Sequence, residues 1–153
     1  MQSSKIISGY RNYNGGYFKT LIKPDDTGGA MAMIDITLPR GVEPPPHVHK
    51  NEDEIFYLLE GNIRFRIGDN EIEASAGDAV FAPRMTPHHF IIENEQARFL
   101  NIMTPGKLID YFVEFSTPSQ NDLVVTPPQG PPPAEAIAHM VSRLEEVYGI
   151  RLL

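Results

Sequence analysis

Residues 41–61, GVEPPPHVHKNEDEIFYLLEG, bring two histidines, a carboxylate and a strand-forming run into twenty-one positions. His47 and His49 are separated by one residue, so on an extended chain both imidazoles project from the same face. A strand can offer two metal ligands in this way. Three prolines in the four residues EPPP, 43–46, fix φ and hold the approach to His47 extended, leaving the ligands little conformational entropy to lose. Four polar residues, KNED, then separate His49 from Glu54. That is long enough for a tight turn that returns the chain alongside itself and adds a carboxylate to the same spot. Residues 55–59, IFYLL, combine β-branched, aromatic and aliphatic side chains as a buried strand does, and Gly61-Asn62 ends the run in a turn. The expectation is a ligand site on a stiff strand pair.

A fourth ligand follows downstream. Residues 77–89, GDAVFAPRMTPHH, read as a turn at Gly77-Asp78, a short apolar strand over 79–82, a proline-bounded loop and then His88. Imidazole and carboxylate together suit Fe, Ni, Mn, Co, Cu and Zn, and nothing in the residue types selects among them. Here the chain resembles the cupin superfamily. Gly41, His47, His49, Glu54 and Gly61 fit the first cupin motif, G-x5-H-x-H-x4-E-x6-G, at each fixed position. Gly77, Pro83 and His88 fit the second, G-x5-P-x-G-x2-H-x3-N, but Met85 stands where that motif has Gly and Ile92 where it has Asn. Neither departure touches a ligand; they bear on the loop beside His88. The resemblance implies one divalent metal held by His47, His49, Glu54 and His88. It leaves Glu52 and Asp53 to solvate the turn, with Glu52 as a reserve ligand. His89 is expected on the opposite face of its strand and His139 in solvent, neither as a ligand.

Composition narrows the remaining classes. At 153 residues the chain fits one domain large enough for a real core, with 41% apolar and 22% charged residues. A net charge of −7 and no basic run make nucleic acid and anionic membranes poor partners. Without cysteine there is no thiolate nucleophile, disulfide or Cys-ligated metal site, so chemistry falls to His, carboxylate and metal. No stretch approaches the ~20 apolar residues of a membrane span, and the N-terminus lacks an apolar leader core. A cytoplasmic protein is expected.

Short strands separated by Gly, Pro and Asn turns argue an all-β fold, and with the motif pair they point to an antiparallel double-sheet jelly-roll barrel. Residues 1–16 are expected to wrap the surface or a partner subunit. Strands are expected over 17–23 and 30–38, then over 62–67 paired with 71–76, with Ile63, Phe65, Ile67, Ile72 and Ala74 inward. A last pair, 88–93 with 98–103, should turn around Asn94-Glu95-Gln96. Leu108, Ile109, Phe112 and Phe115 lie at helical spacing and predict a short helix over one barrel opening. The cupin barrel, with its arm and this helix, is assigned to 1–121, and a proline-rich linker to 122–133. A C-terminal amphipathic helix on the outside of the barrel is assigned to 134–153, with Ile137, Met140, Val141, Leu144, Val147 and Tyr148 on its apolar stripe and Gly149 as its stop.

Within the cupins the segment EDEIFYLLEG, the TPG after the last barrel strand, the following IDYFVEF and the closing YGI are most similar to single-barrel quercetin 2,3-dioxygenase-like proteins. That resemblance implies an oxidoreductase, a metal-dependent dioxygenase taking a small aromatic or enolisable substrate with dioxygen, in which Glu54 is both ligand and catalytic base. Met33, Phe56, Phe90 and Met103 are expected to line an apolar substrate pocket. The rival classes are a cupin that binds a metal or small ligand without turnover and a metal-dependent isomerase, since one fold serves all three. Metal affinity should fall as pH drops through roughly 6.5, where protons compete for imidazole. The strand at 55–59 has no polar face, which predicts a homodimer that covers its outer side.

Overall fold

A computed structural model describes residues 9–120 and 122–153. Two antiparallel sheets face each other. With strands numbered in chain order, the first contains β1 (Tyr10–Tyr13), β2 (Gly16–Ile22), β3 (Ala32–Pro39), β5 (Asp53–Glu60), β8 (Ala79–Ala82), β10 (Gln96–Thr104) and β11 (Thr117–Pro118). The second contains β4 (His47–His49), β6 (Ile63–Ile67), β7 (Asn70–Ala74), β9 (His88–Ile92) and β12 (Ile150–Leu152). Their orders, β11-β1-β2-β3-β10-β5-β8 and β12-β4-β9-β6-β7, share no strand. The result is a jelly-roll of two opposed sheets, not a barrel closed by hydrogen bonds.

Alternation along the strands builds the core. Ile63, Phe65 and Ile67 on β6 are buried while Arg64 and Arg66 face outward, and Ile34, Phe56, Phe99 and Ile92 turn inward from their own strands. Phe56 and Phe99 from one sheet meet Phe65 and Phe90 from the other, with ring centroids 5.0–6.0 Å apart. Burying each such ring contributes about 1.5–3 kcal/mol, so this cluster ties the sheets together, and Phe56, Phe90 and Phe99 share a cavity wall with the histidines. Ile72 departs from the expected inward set at 37% exposure, because β7 is the edge of its sheet.

Two expected strand pairs do not form. β9 lies between β4 and β6 while β10 lies between β3 and β5, so the turn at Asn94-Glu95-Gln96 crosses from one sheet to the other. The KNED turn does the same: β4 and β5 occupy opposed sheets instead of pairing. Alternating apolar residues mark which side chains point inward, but not to which of two facing sheets the strand belongs.

The ends of the chain also differ from expectation. Residues 1–8 of the arm lie outside the described residues, and the part that follows is strand β1, hydrogen-bonded to β2. Residues 106–114 form a helical turn and the short helix α1 (Ile109–Glu114), as the spacing predicts. Residues 122–128 and 131–133 have no regular structure. Helix α2 (Ala134–Glu146) stops ahead of Gly149, whereas the residues assigned to the helix after that glycine form β12, which adds to the edge of β4. Helix α2 is largely exposed with Leu144 its one buried residue, and Leu144 together with Ile150 and Leu152 of β12 lines the interior cavity. Gly149 makes the reversal possible. Its φ of +65° is a left-handed conformation, and a Cβ there would come within 2.6 Å of the Asn51 amide nitrogen. Among the described residues no helix is long and apolar enough to cross a membrane.

Candidate metal centre

The register of three strands assembles the four ligand candidates. On β4 the period of two points His47 and His49 inward together, and β9 pairs antiparallel with His88 directly opposite His47. Glu54 arrives from the facing sheet, where β5 sets it between Met103 of β10 and Ala82 of β8. All four side chains are buried, and one donor atom from each lies within 4.8 Å of the other three. His47 Nε2 is 3.1 Å from His49 Nε2, and the Glu54 Oε2 oxygen lies 3.2 Å from His49 Nε2 and 3.1 Å from His88 Nε2.

The tautomers argue for a cation at this point. His47 Nδ1 donates to the Pro45 carbonyl at 2.8 Å and His88 Nδ1 to the Thr86 carbonyl at 3.1 Å, which leaves the Nε2 lone pair of each directed at the cluster. Lone pairs facing one another at such distances repel unless a proton or a metal lies between them. Three imidazoles and one carboxylate, buried and aimed at one point, therefore fit a divalent transition metal.

Glu52 takes a role the sequence reading missed. It is buried, and its Oε2 lies 3.6 Å from His49 Nδ1, where it backs the imidazole instead of solvating the turn. A carboxylate behind a ligating imidazole orients the ring and raises its basicity. Its position three residues after His49 was the available signal. Burial alone would lower the pKa of His49, but the Glu54 carboxylate bonded at Nε2 and the Glu52 carboxylate 3.6 Å from Nδ1 outweigh it and raise it to about 9. Burial and the neighbouring His88 push His47 down to about 4. Burial also acts to raise the Glu54 carboxyl, yet the His49 charge and hydrogen bond outweigh it and hold it well below the usual range. Without metal, the cluster at neutral pH is an ion pair of His49 and Glu54.

A cavity of about 100 Å³ opens from this cluster, with mostly apolar walls. Phe56 and Phe90 line it as expected, whereas Met33 and Met103 are not among its lining residues. Met33 follows the parity of β3 to the outer face, where Ile34 takes the inner place. Met103 is fully buried in the core. Tyr13, Tyr111 and Asn101 complete the polar lining, none of them anticipated, with the Tyr13 and Tyr111 hydroxyls 2.8 Å apart. His89 is half-buried on β9 with outward parity, and His139 is exposed.

Comparison with known proteins agrees with this geometry, the Cupin domain family matching residues 34–103. The matched residues contain all four ligand candidates, His47, His49, Glu54 and His88. The chain is 24% identical over 104 residues to quercetin 2,3-dioxygenase of Bacillus subtilis, a match covering 68% of this chain and 31% of that protein. It thus spans about a third of that relative's length. Among solved structures, a predicted oxalate decarboxylase from Thermotoga maritima superposes with a TM-score of 0.55 at 26% identity, covering 68% of this chain and 96% of the other. KdgF from Halomonas superposes at 0.56 with 20% identity, covering 68% and 94%, which shows the shared cupin fold.

Proposed function

We propose that this cupin is a metal-dependent dioxygenase of the quercetinase type, acting on a small aromatic or enolisable compound. The observation that carries the reading is a carboxylate, Glu54, set among three imidazoles at the wall of an apolar cavity. His47, His49, Glu54 and His88 would hold the metal, which when bound supplies Lewis acidity that makes a substrate hydroxyl or enol easier to ionise. The chain's own residues supply the rest. Glu54 Oε2 faces the imidazoles, and a carboxylate so placed takes up the proton of a substrate hydroxyl within hydrogen-bond reach. Phe56 and Phe90 keep water from the reacting face, and Pro45, Thr86 and Glu52 hold the imidazoles in the orientation that ligation needs. The likeness to quercetin 2,3-dioxygenase supports the same reading.

The test is oxygen uptake by protein loaded in turn with Fe, Ni, Mn, Co and Cu, over a panel of enediols, hydroxyketones and flavonols. Uptake is expected with at least one metal. Glu54→Gln keeps size and one ligating oxygen but loses the base, so turnover should fall by ~10² or more with metal retained. His47→Ala should lose metal and activity together. No uptake with any metal and substrate would give the lead to a binding role without turnover.

A further inference from the structure

Asn101 sits on β10 with inward parity, directly across from Ile34 of β3 and Phe56 of β5. It is 3% exposed, and neither its amide nitrogen nor its amide oxygen has a hydrogen-bond partner among the described residues. Its two cross-strand neighbours are apolar and cannot provide one. Each imidazole of the cavity wall has a nitrogen against a carbonyl or carboxylate and the two tyrosine hydroxyls pair with each other; His49 Nδ1 and Glu52 Oε2 are also without a hydrogen bond, but they face one another at 3.6 Å, so Asn101 is the residue whose polar atoms meet no complementary group. A buried primary amide left wholly unpaired is costly, and a chain retains one where something else completes it. Asn101 lines the same cavity as Glu54 and stands one cross-strand position from it along the sheet, since Met103, two residues on, is the partner of Glu54.

Size limits what completes it. A cavity of about 100 Å³ is on the scale of one ring: an enclosed space of roughly 150 Å³ takes benzene, and drug-sized ligands fill roughly 300 Å³ or more. A three-ring flavonol cannot be held wholly inside it, and part of such a molecule would stand in the cavity mouth.

We infer that Asn101 determines substrate specificity, its amide both donating to and accepting from a compact hydroxy-carbonyl substrate of at most one ring whose other oxygen lies at the Glu54 cluster. This rests on the proposed function for the location of the reacting end. It goes beyond it in naming the recognising residue and in favouring a one-ring substrate over the three-ring substrates of a flavonol dioxygenase. A site that hydrogen-bonds a substrate group discriminates strongly, because an analogue lacking that group leaves the amide unpaired.

Asn101→Leu, which keeps the branched skeleton of four side-chain heavy atoms but has no polar atoms, is the variant that tests it. The probes are 3-hydroxypyran-4-one and 3-hydroxyflavone, which share one hydroxy-enone edge and differ in size, titrated into cobalt-loaded protein and followed by the visible cobalt spectrum. Three results are expected: an unchanged or raised thermal midpoint in the Leu variant with one cobalt per chain retained, a loss of hydroxypyranone affinity of roughly tenfold or more, and tighter binding of the pyranone than of the flavone by wild-type protein. A Leu variant that fails to fold or melts several degrees lower would show that the amide serves the fold, and would overturn the assignment. So would unchanged pyranone affinity, no pyranone binding by the wild type, or flavone bound as tightly as pyranone. The two readings fail separately. Oxygen uptake with no effect of the Leu variant on binding removes Asn101 and spares the dioxygenase; a binding loss without oxygen uptake does the reverse.

Discussion

At the scale of single residues, the site is governed by where protons sit when metal is absent. His49 titrates near 9 and an unfolded histidine near ~6.5, so the His49–Glu54 ion pair stabilises the metal-free fold fully below the lower value and is lost as pH rises through the upper. A metal needs the neutral imidazole and must displace that proton. Binding at pH 7–8 should therefore release about one proton from His49, with affinity rising close to tenfold per pH unit until about pH 9. His47, held near 4, adds no competition in that window. This moves the expected pH dependence above the value of roughly 6.5 that isolated imidazoles suggest. Calorimetric titration of the apoprotein in two buffers of different ionisation enthalpy counts the protons; no release, or an affinity flat from pH 6.5 to 9, contradicts the ion pair. The motif departures are also explained here. Met85 takes a φ of +64° where the motif has glycine, and its side chain is 65% exposed, so the loop keeps the glycine conformation in a residue that pays for it. Ile92 fills the core, and its backbone N–H donates to Glu43 Oε1 at 2.8 Å.

At the scale of elements, β12 is the piece that sequence pattern could not supply. Three residues, IRL, after a helix are too few for a periodic signal, and their strand character comes from pairing with β4. Ile150 lies opposite His49 and Leu152 opposite His47, so β12 covers what would be the free edge of the ligand strand. Gly149 makes that docking possible and its carbonyl accepts from the Lys50 N–H at 2.8 Å. Gly149→Ala should cost about 1–2 kcal/mol in stability through its positive φ. By loosening β4 it should also weaken metal binding, by about 10-fold or more, as loss of outer support does. Chemical denaturation and a competitive zinc titration measure the two; an unchanged zinc affinity would show that β12 does not hold the ligands. Pattern reading located the clustered histidines and the inward faces of β5 and β6 because both depend on a local period of two. It missed the cross-sheet placement of Glu54, the cavity tyrosines and Asn101, because those follow from which strands face each other across the interior.

At the scale of the molecule, the outer face of the seven-stranded sheet carries one more consequence. Ile22, Met33, Ile102, Ile55 and Phe81 align in register across five strands, and Phe81 is 55% exposed. Residues 55–59 thus have their inner side covered by the core and their outer side open to a partner. We propose a homodimer through this row, and sedimentation should give twice the chain mass, with Phe81→Glu shifting it to monomer; a monomeric wild type refutes it. The centre itself is tested most directly by X-ray absorption on zinc-reconstituted protein. Three imidazole nitrogens at about 2.0–2.1 Å and one carboxylate oxygen are predicted, with one imidazole lost in His88→Ala. A shell with fewer than three imidazoles, or one unchanged by His88→Ala, would contradict a metal held by His47, His49, Glu54 and His88.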